Sequence, residues 1–468
     1  MRTASGFAEE IGSTGGQRPP MADGALPLLG HALELWRDPL AGFMNAHREH
    51  GDVVGFRFGP YDFTGLLEPE LIRQLVVRQA HTLRRSPTYG GLKVLLGNGL
   101  LTSDGEFWRK QRKLMQPAFH HKRLARLADT MSSCSQDLVG DWDAGDDGAE
   151  FDVMESCYGL TLRIVGHTLF GTEFRGDAGR IAGDVEVAIE HANHVGESLY
   201  AIPEWVPTPR NLRFGRAKRN LHDLVDRVVH ERRELRARDR ETPGDLLDML
   251  MAVTDESGNE GMSDAQLRDE VLTLAMAGHE TTANLLTWAF VCLSRHPEVR
   301  RRLERELDEV LGDRAPTYAD LAELQYVGQV INETLRLYPP AWLFERLLTE
   351  ELEIGGYTMG ANSLAGVCIY SLHRHPDLWD NPEGFDPDRF TPERSAGRHK
   401  FAFIPFGAGP RVCIGNAFAL MEAKLCLATI AQRYRLDLRP GQTIKLDPGI
   451  TLRPGGKVLA RRHRRGAS

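Results

Sequence analysis

Along most of the chain apolar residues recur every three or four positions, the spacing of helices that bury one face. The exception lies near the N-terminus, where Asp52–Phe58 and Phe63–Leu67 flank Gly59-Pro60 and predict a short hairpin behind a helix over Phe43–His50. Residues 1–22, rich in Gly, Ser, Thr and Pro, predict a disordered leader, and Leu26-Pro-Leu-Leu-Gly30 starts the fold. From Pro87 to Leu101 the chain is Gly-rich and apolar, which predicts core packing under a loop. Helical spacing resumes at Trp108–Arg112 and holds through most of 123–240, with a turn at Gly145–Gly148 and a break at Pro203–Pro209. Ser263-Asp-Ala-Gln266 has the arrangement of a capping box and opens a helix reaching about Arg295. At the α-helical rise that run spans roughly 48 Å. A charged surface helix follows Pro297, and the next helix stops at Tyr338-Pro-Pro340. Strand-like residues run from there to Leu352, a strand and turn are expected over Ile369–His375, and a last helix over Asn416–Tyr434. The pattern predicts a mainly α fold with a small β lobe.

Length and charge narrow the class. No linker divides the 468 residues, so one large domain is expected over 23–460, followed by a basic tail over 461–468. The net charge of −8 argues against nucleic acid as a partner. Charge is uneven, however: between Glu106 and Arg126 stand seven Lys or Arg and one acid. Six cysteines, at 134, 157, 292, 368, 413 and 426, form no Cys-x-x-Cys pair, which argues against a disulfide framework or zinc site and for the reducing cytoplasm. The first twenty-odd residues hold no apolar run long enough for a signal peptide or membrane anchor, so a soluble protein is expected.

The chemistry concentrates in Phe406-Gly-Ala-Gly-Pro-Arg-Val-Cys-Ile-Gly415. A lone cysteine is ordinarily a small core hydrophobe. Here Gly407, Gly409 and Gly415 leave backbone N–H groups free to face the Cys413 sulfur, Arg411 adds a positive charge, and a helix begins just behind. A thiolate so placed is suited to hold an iron atom.

This run resembles the haem-binding loop of the cytochrome P-450 monooxygenases, with every motif position filled. The resemblance implies the cytochrome P-450 fold, with haem b between the long central helix and the cysteine-loop helix, and Cys413 as the axial thiolate. It also covers motifs elsewhere. Trp108 and Arg112, four apart on one helical face, match the pair that holds a haem propionate, the alternative being a core tryptophan beside a solvated basic helix. Ala277-Gly-His-Glu-Thr-Thr282 matches the oxygen-binding groove, with Glu280 and Thr281 as the acid–alcohol pair that delivers protons and Ala277 on the porphyrin face. The glycine and β-branched residues there weaken the helix by up to about 1 kcal/mol each. His279 is not part of a zinc-protease signature, since position 283 is Ala, and is read as polar packing. Glu333, Arg336 and Arg389 match the family's buried structural triad, although an ion pair at this spacing is by itself a weak signal. Arg346 falls where a further propionate ligand is expected, a surface arginine paired with Glu350 or Glu351 being the alternative. Phe406, Arg411 and Gly415 complete the cofactor loop.

By the same resemblance Leu101 faces the iron, Val185–Tyr200 forms the lid of the channel, and Gly449-Ile450-Thr451 dips into the pocket. Leu101, Ala277, Ala341, Leu343 and Ile450 then make an apolar substrate pocket. The implied reaction inserts one atom of O₂ into a small apolar molecule, a terpenoid or steroid-like secondary metabolite. A fatty acid anchored by Arg84 or Arg85 is the second reading. A peroxide-driven or non-oxidative enzyme and a haem sensor would not need the acid–alcohol pair. The chain has no Gly-x-Gly-x-x-Gly nucleotide fingerprint and no fused flavin or iron–sulfur domain. A separate ferredoxin and its NAD(P)H-dependent reductase are therefore the expected electron donors to a monomer. Arg109, Lys110 and Lys113 offer a basic docking patch, or else a merely solvated face.

Overall fold

The computed structural model describes residues 16–171, 178–197, 202–238, 240–242, 244–256 and 262–466. Residues 1–15 of the expected leader, 198–200 of the expected lid and 467–468 of the basic tail lie outside the described residues. Helices dominate, and the described strands form four sheets of five, two, three and two strands. The chain divides into two compact units, one holding the residues up to Ser86 with Glu345–Cys368 and the other Pro87–Phe344 with Ile369 onward.

The first unit is built on the expected hairpin. Val53–Phe58 pairs antiparallel with Tyr61–Leu66, and Tyr61–Leu66 pairs parallel with Leu364–Cys368. Leu83–Arg85 pairs antiparallel with the strand Leu343–Leu348, setting Arg85 opposite Arg346. The helix Pro39–His50 covers this sheet through Phe43, whose ring meets those of Phe56 and Phe63 edge-on at 4.9 and 5.7 Å.

The second unit is organised by the helix Asp264–Arg295, 32 residues long as its pattern predicts. Ser263 caps it by accepting the Gln266 N–H at 3.3 Å, and His296-Pro297 ends it. Helical hydrogen bonding continues through Ala277–Thr282. From Thr282 to Leu293 every side chain is buried, because this half packs in one core with Val153–Phe170, Gln325–Leu337 and Asn416–Arg433. Each large apolar side chain so buried contributes about 1.5–3 kcal/mol. Trp288 anchors the layer, stacked on Tyr338 at 4.1 Å.

Three local readings need correction. The glycine-rich stretch after Pro87 is not all loop, since Gly90–Leu96 is a helix whose Leu95 and Leu96 are buried. The strand expected over Ile369–His375 ends earlier: Leu364–Cys368 is the strand, and Ile369–Leu372 is one helical turn. Both stretches are short apolar runs, whose period cannot separate strand from helix. A strand at Glu150–Asp152 escaped the sequence pattern. It pairs with Leu459–Arg464, which places Arg461 to Arg464 of the C-terminal basic run in a sheet.

Candidate functional site

Cys413 sits on the loop ahead of the helix Asn416–Arg433. Gly407 and Gly409 both have φ of 71°, a region costly for any side chain, and they turn the backbone back on itself. The turn is closed by the Cys413 N–H donating to the Phe406 carbonyl at 2.9 Å and the Gly407 N–H to that of Ile404 at 2.9 Å. Cys413 is exposed, whereas the other five cysteines are buried. Surrounding protein still pushes its thiol pKa up, while the Gly415 N–H and the Arg112 charge pull it down.

Arg112, on the helix Gly105–Met115, is half-buried and has no carboxylate partner among the described residues. Burial lowers its pKa, and Cys413 is the charge that opposes this. The Trp108 indole N–H, one turn earlier and in a buried side chain, likewise has no acceptor there. Two such donors one turn apart on a helix, one of them acting on the thiol, fit a group that brings a carboxylate and a metal, as haem does. Arg411 is placed differently: it lies over the Trp108 ring at 4.2 Å, pairs with the Asp104 carboxylate and donates to the Ser103 carbonyl at 3.1 Å. The cation that acts on Cys413 is thus Arg112, four residues after Trp108. Arg346 belongs to the first unit, where it is buried and donates to the Glu345 carbonyl at 2.7 Å. Arg84, in that unit too, donates to the carbonyls of His81 and Leu83.

On the long helix Ala277 is exposed and Thr281 partly so, one turn apart, with buried Glu280 and Thr282 flanking Thr281. The Thr281 hydroxyl donates to the Ala277 carbonyl at 2.6 Å. Glu280 is buried, and burial raises its carboxyl pKa. It accepts a hydrogen bond from the Thr451 hydroxyl at 2.6 Å. His279 is polar packing, as expected: its Nε2–H donates to the Tyr158 carbonyl at 3.1 Å, and burial brings its pKa down to about 4.

The expected pocket positions of the second unit come together in part. The Trp342 indole donates to the Gly449 carbonyl at 2.8 Å, and the Leu452 N–H to that of Pro340 at 2.9 Å, which sets Ala341 and Leu343 beside Ile450. Ile450 is in turn tied by its N–H to Asn193 on the helix Ala178–Glu197, at 2.7 Å. Leu101 follows a loop held on the long helix, since Asn98 and Leu100 donate their N–H groups at 2.8 Å to Asp269 and Glu270.

The triad closes around Glu333. Arg336 forks onto its carboxylate with two bonds of 2.7 Å, and Arg389 reaches it at 3.3 Å, all three side chains being buried. A buried pair robbed of one partner costs about 3–5 kcal/mol, so this cluster fixes the segments it joins. Arg336 also donates to the His373 carbonyl at 2.9 Å, and His373 Nε2 accepts the Ile404 N–H at 3.1 Å. The triad is thereby linked to the cysteine loop through a neutral imidazole that sequence reasoning missed. Nothing local marks His373. Glu422 was missed too, although a lone acid on the apolar helix behind Cys413 was a signal. It is fully buried, and neither carboxylate oxygen has a hydrogen bond.

The family model described as Cytochrome P450 matches residues 19–459. The chain is 39% identical over 440 residues to cyclooctatin synthase of Streptomyces melanosporofaciens, covering 94% of each chain. It is 36% identical over 428 residues to pentalenene oxygenase of Streptomyces avermitilis, covering 91% of this chain and 92% of that one. Among solved structures, the haem domain of cytochrome P450DA superposes with a TM-score of 0.86 at 29% identity, over 96% of this chain and 98% of the other. Among the described residues no helix is long and apolar enough to cross a membrane.

Proposed function

This chain belongs to the cytochrome P450 family and is a haem-thiolate monooxygenase, and from that premise we propose that Cys413 is its iron ligand and a terpenoid with a cyclic hydrocarbon skeleton its substrate. The family's cofactor is haem b. Bound haem supplies the activation of O₂: one oxygen atom enters a substrate C–H or C=C bond and the other leaves as water, with two electrons and two protons consumed. Arg112 and Trp108 hold one propionate by donating to it. Phe406, Arg411 and Gly415 shape the loop that presents the thiolate. The protons pass through Glu280 and Thr281. Because burial raises the Glu280 carboxyl, it keeps a proton to give at pH values where a solvated carboxylate has none.

The observation that carries this reading is the exposed Cys413 thiol under the influence of Arg112, a half-buried guanidinium with no carboxylate partner among the described residues. For the substrate, support comes from the apolar character of Leu101, Ala277, Ala341, Leu343 and Ile450. Relatives named for cyclooctat-9-en-7-ol and pentalenene, at 37% and 36% identity, point the same way. The electrons come from a separate ferredoxin and its reductase, a reading supported by the exposed Arg109, Lys110 and Lys113. Six free cysteines accord with the reducing cytoplasm. The test is an optical spin-state titration of the holoenzyme against cyclic terpenes, steroids and fatty acids. A low- to high-spin shift with the terpenes supports the proposal. A shift with fatty acids alone, abolished in Arg84→Ala or Arg85→Ala, refutes the substrate assignment, and a pigment without a thiolate-haem spectrum refutes Cys413.

A further inference from the structure

Glu280 is held by residues far from it in the chain. Its Oε1 accepts the Thr451 hydroxyl at 2.6 Å, and that hydroxyl accepts Nδ2–H of Asn284 at 3.1 Å. The Asn284 Oδ1 accepts the Tyr158 hydroxyl at 3.1 Å. Asn284 is fully buried, and Glu280 and Thr451 are 5% and 7% exposed, so water does not compete for these bonds. Every donor in the series points the same way, from Tyr158 through Asn284 and Thr451 to the carboxylate. With its lone pair engaged by Asn284, the Thr451 hydroxyl has its proton left for Glu280, and Oε2 is left as the oxygen that carries the carboxyl proton. An amide in the middle does not relay protons readily, so the series orients the acid rather than supplying it.

We propose that Thr451 is the positioning residue of the acid–alcohol pair, its hydroxyl fixing the Glu280 carboxyl so that Oε2 is the atom from which the proton leaves. The inference rests on the reading of Glu280 as the proton-delivering acid and adds a role that reading does not assign. The charged and titratable groups facing Glu280 are Tyr158 on the helix Val153–Phe170 and, on the hairpin Lys445–Pro448 with Leu452–Gly455, Asp447 and Arg453. The last two pair with each other at 2.8 Å, which leaves Thr451 as the hydrogen-bond donor to the carboxylate. Burial raises the Glu280 pKa, and the Thr451 bond is the largest influence opposing it. Removing that bond therefore raises the pKa further.

The experiment compares the substrate-bound holoenzyme with Thr451→Val, Thr451→Ser and Glu280→Gln. One readout is infrared titration of the buried carboxyl band that Glu280→Gln removes. The other is the pH profile of product formed per O₂ consumed. In Thr451→Val the band is expected to shift and its midpoint to rise, with more of the O₂ released as hydrogen peroxide. Thr451→Ser, which keeps the hydroxyl, restores both. Should Thr451→Val not accumulate as holoenzyme, Tyr158→Phe carries the same test, with a smaller upward shift expected and no shift overturning the proposal. If Glu280→Gln changes the profile while Thr451→Val leaves band and profile unmoved, the positioning role is overturned and the reading of Glu280 stands. If Glu280→Gln itself leaves the profile unchanged, the reading of Glu280 fails and takes this inference with it.

Discussion

Cys413 and Glu422 stand nine residues apart and show two fates of an acidic group taken from water. Burial pushes the Cys413 thiol up, but the residue stays exposed, and an N–H donor from Gly415 and the charge of Arg112 pull it back towards the ionised form. Glu422 has none of these. Burial pushes its carboxyl up to about 8, and the Thr282 hydroxyl offsets only part of that rise, since it lies outside hydrogen-bonding geometry. The consequence for stability follows from where the proton is lost. Well below the ordinary carboxyl pKa of 4.5, folded and unfolded chains both hold it, and Glu422 contributes no difference. As the pH rises, the unfolded chain releases the proton while the folded one retains it, so the folded state loses stability until the folded group also ionises near pH 8. Fully developed, the penalty is on the order of 5 kcal/mol. Glu422→Gln, which cannot ionise, is therefore expected to gain in melting temperature over the parent as pH is raised from 5 to 8. A difference between the two proteins that is flat with pH would show that Glu422 is not neutral in the folded state.

Among the elements the long helix carries the most chemistry, and it was also the most legible in the sequence. Ser263 marks its start, Pro297 its end, and the apolar spacing between them leaves little choice of period. Its partners were not legible. Thr451 meets Glu280 across 171 positions and Leu100 meets Glu270 across 170, and no local pattern encodes such pairings. Cys413, by contrast, could be read because its glycines, arginine and following helix are adjacent in sequence. The turn at Gly449-Ile450-Thr451 shows both sides: Ile450 was expected at the pocket, whereas the Thr451 hydroxyl is directed to the acid. The clamp at Glu270 makes a prediction of its own. Its Oε2 accepts the Leu100 N–H at 2.8 Å next to Leu101, Oε1 has no partner, and burial pushes the carboxyl up to about 8. At neutral pH the group is then a neutral carboxylic acid, which Gln imitates in shape and acceptor. Glu270→Ala removes the acceptor and strands a buried N–H, a loss of about 1–3 kcal/mol. It is expected to weaken substrate binding about 10-fold in the spin-state titration, with Glu270→Gln close to the parent. Equal losses in both variants would mean that the carboxyl acts through its charge.

For the whole molecule the informative quantity is the contrast between a net charge of −8 and a local surplus of cations. Arg109, Lys110, Lys113, Lys122 and Arg126 are all exposed, and the first three share the helix that carries Trp108 and Arg112. A protein negative overall repels an acidic carrier at long range, so productive encounter requires a local field of opposite sign. The helix Gly105–Met115 meets that requirement, since its outward face bears the cations while Arg112 on the same helix acts on the thiol. The prediction is kinetic. With an acidic ferredoxin as donor, the first electron-transfer rate is expected to fall steeply as ionic strength rises past the point where screening shortens the field to about 10 Å. Lys110→Glu with Lys113→Glu is expected to lower that rate at low salt by about 10-fold or more and to flatten its salt dependence. The spin-state response to substrate should be unchanged, because neither lysine is buried or placed among the pocket residues. A rate that stays salt-dependent and fast in the double variant would locate the docking face elsewhere. Loss of the substrate response as well would mean that the lysines support the fold of this helix, and the electrostatic account would then have to be abandoned.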